Sequence, residues 1–360
     1  MPDWTRSMQQ TYEFYEVNPV TWADAAIIRS IVSCTITRDL TEETLGSASI
    51  ECTEDLTDKY VRVYLVTVQD GVRERIALGT FLCQTPSTTF DGRYRKTTQD
   101  GYTPLIELKE KTMPIGYAIA KNQKILSVAK TIVTEGGRAP VSYDTSVNSS
   151  EDAPKLDANF VSDISDTRFT FTKDLLANAG YHFEIEPDGT ILFMPDQSIS
   201  SMQPFWEYTD DNSSILLPSI ELSRDLYGVP NVVEVIYSPS DTAMPYSARA
   251  KNSSKNSIVS TVNRGREIVY RETSPDVAAG LTETQVKEYA KDLLKRLSSI
   301  EYTLSYSHGY CDVRVGDCVR LNYERAGITN VKAMVTRQVI SCVPGCTVQE
   351  TAVYTEQLWG

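Results

Sequence analysis

Apolar positions along this chain fall mostly in short alternating or continuous runs broken by Gly, Asp, Asn and Pro, which is the pattern of strands and turns. The run Tyr60-Val-Arg-Val-Tyr-Leu-Val-Thr-Val68 is dense in β-branched and aromatic residues, and Gln69-Asp70-Gly71 after it is a hairpin signal. Strands are expected at Ala25–Ile36, Ala48–Thr53, Tyr60–Gln69 and Ile76–Gln84, with Asp91-Gly92 as the next break. A second block, Val229–Tyr354, opens with Asn231-Val-Val-Glu-Val-Ile-Tyr237 and closes with strands around Val313–Leu321, Val331–Ser341 and Thr347–Tyr354. Each block reads as a small closed or nearly closed β-barrel.

Helical spacing is confined to a few places. Between Thr282 and Ser299, Val286, Tyr289, Ala290, Leu293, Leu294 and Leu297 form one apolar stripe, and Thr282 with Gln285 is a capping-box pair. This is a bracing helix for the second block. Shorter helices are expected at Tyr102–Met113, stopped by Pro114-Ile-Gly116, at Lys124–Val133, ended by Gly136-Gly137, and at Thr172–Ala179. After Gly180, a hairpin follows from Tyr181–Glu186, the turn Pro187-Asp-Gly189 and Thr190–Met194.

The fold class is therefore mainly β with α+β insertions. The expected domains are an N-terminal arm (1–24), a first β-barrel (25–96), a helical connecting region with linker (97–155), an α+β helix-hairpin domain (156–224), and a second β-barrel (225–360). The arm, rich in aromatics (Trp4, Tyr12, Phe14, Tyr15, Trp22), either crosses to a neighbouring subunit or folds as a flap on its own barrel. Val141–Lys155 reads as a linker or mobile loop. Ser238–Ser257 is polar and small, an excursion expected to order only on binding.

The 360 residues allow roughly two to three domains of about 150 residues each, and 41% are apolar, so a core can form. No apolar run approaches the ~18 residues of a membrane helix, and Met1-Pro-Asp-Trp4 does not open a signal peptide. The net charge of −13 argues against sequence-independent nucleic-acid binding. Charge is unevenly placed: nine acids and no Lys or Arg lie between Asp174 and Ser223, whereas nine bases and four acids lie between Arg93 and Arg138. Such polarity solvates two faces, or suits a subunit that docks through one of them.

Candidate chemistry is sparse. Seven cysteines (34, 52, 83, 311, 318, 342, 346) sit mostly in strand patterns, as small apolar residues do. Cys342-Val-Pro-Gly-Cys346 could be half of a metal site, but no second pair or paired histidine completes it. The two histidines, His182 in a hairpin strand and His308 at an expected turn, belong to no HExxH, and no GxSxG, P-loop or GxGxxG is present. Acids such as Glu42-Glu43, Asp55, Asp58, Asp70 and Asp210-Asp211 sit beside turn residues, where surface charge is the simplest reading. Gly316-Asp317 within a β run reads as a bulge or tight corner rather than as a ligand or acid. No catalytic residue, metal site or cofactor is assigned.

The order of several segments resembles the hub proteins of tailed-bacteriophage baseplates and tail tips. Those segments are Gly46-Ser-Ala-Ser-Ile-Glu51, Tyr60-Val-Arg-Val-Tyr64, Thr103-Pro-Leu-Ile-Glu-Leu-Lys109 with Ile115-Gly-Tyr117, Gly228-Val-Pro-Asn-Val-Val-Glu-Val235 and Val315-Gly-Asp-Cys-Val-Arg-Leu321. The resemblance implies two barrels related by pseudo-symmetry, so that three chains make a ring offering six similar docking surfaces to a hexameric tail tube. It also implies a trimeric spike or fibre below, the C-terminus of a tape-measure protein in the lumen, and passage of DNA without specific binding. The localisation it implies is the virion tail tip, assembled in the host cytoplasm. Candidate contacts between subunits or rings are the arm 3–24 and the loop 238–257. The competing readings are a receptor- or carbohydrate-binding tail protein, with the Trp206 region stacking on sugars, and a cell-wall hydrolase, for which only scattered acids speak.

Overall fold

The computed structural model describes residues 2–90, 92–150, 153–238, 244–273 and 282–358. Its strands in chain order are β1 Gln9–Val17, β2 Asp24–Ile27, β3 Ile31–Asp39, β4 Gly46–Cys52, β5 Tyr60–Gln69, β6 Val72–Phe90 and β7 Arg95–Tyr102. After helix α1 (Leu105–Glu110) come β8 Ala118–Ile119, α2 Ile125–Gly136, β9 Val141–Tyr143, α3 Thr145–Ser149, β10 Phe160–Val161 and α4 Arg168–Ala177. They are followed by β11 Tyr181–Ile185, β12 Ile191–Pro195, β13 Trp206–Thr209, β14 Leu216–Arg224, β15 Val232–Tyr237 and β16 Tyr246–Lys251. The last elements are α5 Thr261–Arg264, β17 Val269–Thr273, α6 Glu283–Leu297, β18 Ser299–Gly309, β19 Cys318–Tyr323, β20 Ile328–Ser341 and β21 Thr347–Gln357. The chain is mainly β with α+β insertions, as its pattern predicts.

Two compact units form: residues 1–220 with 306–351, and residues 221–305 with 352–360. In the first unit, neighbouring strands run β20–β3–β4–β7–β6–β5–β1–β2, with β19 on β20 and β13 on β19. Among the described residues no pairing closes this order on itself. Strand β5 is buried over its first eight residues, on both faces, which explains its near-continuous apolar run. Its hairpin to β6 turns at Asp70 (φ 51°) and Gly71 (φ 79°), the left-handed pair a type I′ turn requires.

The division of the chain differs from the expected boundaries. The span 225–360 is shared between the two units, because β20 pairs antiparallel with β3 from Ser341↔Thr35 to Arg337↔Asp39. Strands from the two sequence blocks thus share one ladder.

Several segments also differ from expectation. The arm is not free: β1 pairs with β5 over the whole register Gln9↔Val68 to Val17↔Tyr60. Trp4 packs edge-on against Tyr310 at 5.1 Å and Trp22 against Tyr60 at 4.9 Å, so the arm folds on its own chain. The expected strand Ala25–Ile36 is broken into β2 and β3. The expected linker Val141–Lys155 contains β9, paired parallel to β12, and the short α3. In the expected excursion 238–257, Tyr246–Lys251 is β16, antiparallel to β15, while 239–243 lie outside the described residues. His308 stands in strand β18, not at a turn.

Helices α1, α2 and α4 cover the hairpin β11–β12 around Leu126, Phe171, Leu176, Phe183, Ile191 and Phe193. Helix α4 starts at a capping box between Thr167 and Thr170, satisfying amide groups that the helix cannot.

In the second unit, α6 lies on a three-stranded sheet ordered β16–β15–β17. Its Val286, Ala290, Leu293 and Leu294 meet Val233, Val235, Tyr237, Ala248 and Ala250, so the predicted stripe is the buried face. Thr282 accepts from the Gln285 amide at 3.4 Å and Gln285 Oε1 accepts from the Thr282 amide at 2.8 Å. Asn231, fully buried, spans three main-chain groups: it donates to Val259 O and Arg266 O and accepts from Ile268 N. Among the described residues no helix is long and apolar enough to cross a membrane.

Candidate functional site

The densest side-chain chemistry lies inside the first unit. Along β18, alternation sends Tyr306 and His308 inward; on β21 it does the same for Val348 and Glu350. The Glu350 carboxylate gathers Tyr306 Oη in a short hydrogen bond, Tyr208 Oη at 3.3 Å, His308 Nε2 at 3.3 Å and Gln338 Nε2 at 2.6 Å. His308 Nδ1 donates to the Gly309 carbonyl at 2.7 Å. Its Nε2 faces both the Glu350 carboxylate and, at 3.1 Å, Tyr208 Oη, a setting that favours the protonated ring. Burial works against that charge, but hydrogen bonds to Cys311 and Glu350 and their charge outweigh it and raise the His308 pKa to about 10.

This Cys–His–Glu arrangement has the residue types of a nucleophile set but not the access. His308 and Glu350 are 0% and 2% exposed, and Tyr208 and Cys311 are each 1% exposed. No solute reaches them in the folded chain. Gln338 extends the network to Arg38 Nη1 at 3.0 Å and to Val313 O at 2.9 Å. The cluster ties β13, β18, β20 and β21 through polar contacts and acts as a structural core.

A second constellation joins the β11–β12 hairpin turn to the main sheet. Arg62, 6% exposed, donates to Asp24 Oδ1 at 2.9 Å, Thr80 Oγ1 at 3.0 Å, Trp22 O at 3.2 Å and Asp188 O at 2.8 Å. Trp22 Nε1 also donates to Asp188 O at 2.8 Å, and Thr80 Oγ1 to Pro187 O at 3.0 Å. The turn approaches so closely that Gly189 has no room for a side chain: a Cβ there would lie 2.8 Å from Trp22 and 2.9 Å from Thr80, and φ is +85°.

A cavity of about 250 Å³ lies beside this junction, lined by Arg38, Leu78, Phe81, Glu184, Leu192 and Arg314 among others. Its charges are mixed, with Arg314 paired to Glu186 at 2.6 Å. Gly316 (φ +90°) and Asp317 together face Val335, through Gly316 N to Val335 O and Val335 N to Asp317 O, which is a glycine bulge. Asp317 accepts from the Arg314 amide at 2.8 Å, while burial raises its pKa above the usual carboxylate range.

The remaining sequence candidates are scattered. His182 Nδ1 meets Asp196 at 2.7 Å and its Nε2 faces Glu184 at 3.7 Å; the bond to Glu184 leads the contacts that raise its pKa. Glu43 pairs with Lys109, Asp70 with Arg6 at 3.0 Å and Asp210 with Arg325 at 3.1 Å. Asp55 and Asp211 cap the turns at Thr57 and Ser213. Trp206, half-buried, pairs opposite Val319 on β19. All seven cysteines are buried free thiols. Among the described residues no group of three His, Cys, Asp or Glu is placed to hold a metal ion. The Glu350 cluster was missed in the sequence, although the period-two placement of His308 beside Tyr306 and Leu304 signals an inward position.

No protein-family model and no curated protein sequence matches the chain. Solved structures do. The crystal structure of the tail protein from Neisseria meningitidis MC58 superposes with a TM-score of 0.60 at 14% identity, covering 97% of this chain and 98% of that one. The 43 kDa tail protein of prophage MuSo2 from Shewanella oneidensis gives 0.59 at 11% identity, over 95% and 98%. The fold is that of phage tail proteins, over 95–97% of the chain.

Proposed function

We propose that this chain is a structural protein of a phage tail, the trimeric hub of a tail tip or baseplate. The observation that supports the reading best is the end-to-end likeness to tail proteins, with almost nothing of either chain left over. The densest polar chemistry supports it too, because burial at Glu350 and His308 leaves that cluster only a structural role. In this reading three copies form a ring between a hexameric tail tube and a trimeric spike or fibre. The two strand blocks supply its pseudo-repeated docking surfaces, and closed rings of this kind use heterologous contacts. The ring would border the DNA-ejection channel beside the end of a tape-measure protein, and the net charge of −13 suits a wall that does not retain a polyanion. Native mass of the purified chain tests the assignment. A species at three times 40.2 kDa is expected, alone or with its tube-side neighbour. A closed ring of another order would overturn the trimer.

A further inference from the structure

The β20–β3 ladder ends with Ser341 opposite Thr35, and the next residues across are Cys342 and Cys34. The Cys342 amide donates to the Cys34 carbonyl at 3.0 Å, so the register continues to this pair. Directly opposed residues of an antiparallel ladder project to the same face, with Cα atoms about 4.5–5.5 Å apart, inside the range a disulfide spans. Both residues are buried, at 3% and 8% exposure. The turn that follows is at the surface: Val343 is 48% exposed, and Pro344 and Gly345 are exposed as well. Cys346, fully buried, closes that turn by donating its amide to Val343 O at 2.9 Å.

We infer that Cys34 and Cys342 form an oxidative cross-strand pair, a disulfide site that would staple the first strand block to the last. The pairing rests on strand register alone. That the chain leaves a reducing cytosol, where thiols persist, rests on the tail reading above. Oxidation by a small-molecule disulfide balances as follows. The Cys342 thiolate attacks one sulfur of the reagent and releases one reagent thiol, leaving a mixed disulfide. The Cys34 thiolate then attacks the Cys342 sulfur and displaces the second reagent thiol. Two protons leave the protein and two electrons pass to the reagent. The hydrogen bond to Cys34 and burial hold the Cys342 thiol well above its ordinary value, so the thiolate is scarce and the reaction slow at neutral pH. The bond once formed closes a very long loop, the case in which a crosslink restrains the unfolded chain most.

The test uses the full chain, incubated under native conditions with oxidised glutathione at mildly alkaline pH, then alkylated in denaturant. The expected result is a mass lower by about 2 Da before alkylation, two thiols fewer than the seven, and a peptide joining Cys34 to Cys342. Cys346→Ser should keep the bond; Cys34→Ser and Cys342→Ser should each abolish it, so either one suffices if the other does not fold. Seven alkylated thiols after oxidation, a stable glutathione adduct, or a bond mapping to Cys342–Cys346 would overturn the pair. Each of these outcomes leaves the native-mass test of the hub untouched.

Discussion

Two cores of the first unit make opposite use of burial. Around β5 the inside is apolar: Val61, Val63 and Leu65 are completely buried, and their stabilisation is the non-directional removal of hydrocarbon from water, about 1.5–3 kcal/mol for each large side chain. Around β18 and β21 the inside is a charged network on Glu350, whose contribution depends on every partner being in place. The apolar core tolerates rearrangement of shape. The polar core specifies which strands meet, because a misregistered β21 would strand a carboxylate in the interior.

The largest effect expected from breaking this contrast is at Glu350. Glu350→Ala leaves the His308 cation, the Gln338 amide and two tyrosine hydroxyls without their acceptor, so a loss of about 3–5 kcal/mol is expected in denaturant unfolding. Leu65→Ala removes hydrocarbon alone and should cost about 2–5 kcal/mol, with no pH dependence. The two differ most clearly in a pH series. His308 holds its proton more tightly folded, with a pKa raised from 6.5 to about 10, than it does unfolded. Its stabilising contribution is therefore full below pH 6.5 and fades as pH rises through about 10. The wild type and Leu65→Ala should both weaken across that window, whereas His308→Gln should not. Equal slopes in all three would show that the ring is neutral.

What the sequence revealed follows the same contrast. The β5–β6 hairpin and α6 were legible because apolar periodicity and turn residues act locally. Strand β7, Arg-Lys-Thr-Thr-Gln-Asp-Gly-Tyr, was not, since it carries almost no apolar signal and is held by backbone ladders to β4 and β6. The sharing of one ladder by both strand blocks was also hidden, because the β20–β3 pairing joins residues some 300 positions apart and no local pattern encodes that partner. The arm's aromatics stand out in the sequence, but only the β5 ladder decides that they fold back on the same chain. The Glu350 cluster needed its members brought together in space, although each alone sat on the inward phase of its strand.

A smaller effect is expected where the hairpin turn meets the sheet. Gly189→Ala must place a Cβ against Trp22 and Thr80 and hold φ at +85°, a strain of about 1–3 kcal/mol. The readout that sharpens the comparison is local: hydrogen exchange at the Gly189 and Thr190 amides should quicken more than exchange in β5. Uniform acceleration throughout the unit would mean that the hairpin is part of the same cooperative core rather than docked on it.

The smallest effect belongs to the second unit, where helix α6 packs its apolar stripe on a three-stranded sheet. Thr282→Ala removes the oxygen that accepts from the Gln285 amide and frees the Gln285 side chain from the Thr282 hydroxyl. A loss of about 1 kcal/mol is expected, as for other N-caps. Because Gln285 reaches back to the Thr282 amide, the two residues act as one device, and Gln285→Ala should cost less once Thr282 is already Ala. A double-mutant cycle checks this directly. Additive losses would mean that the two side chains cap the helix independently, each through its own backbone partner.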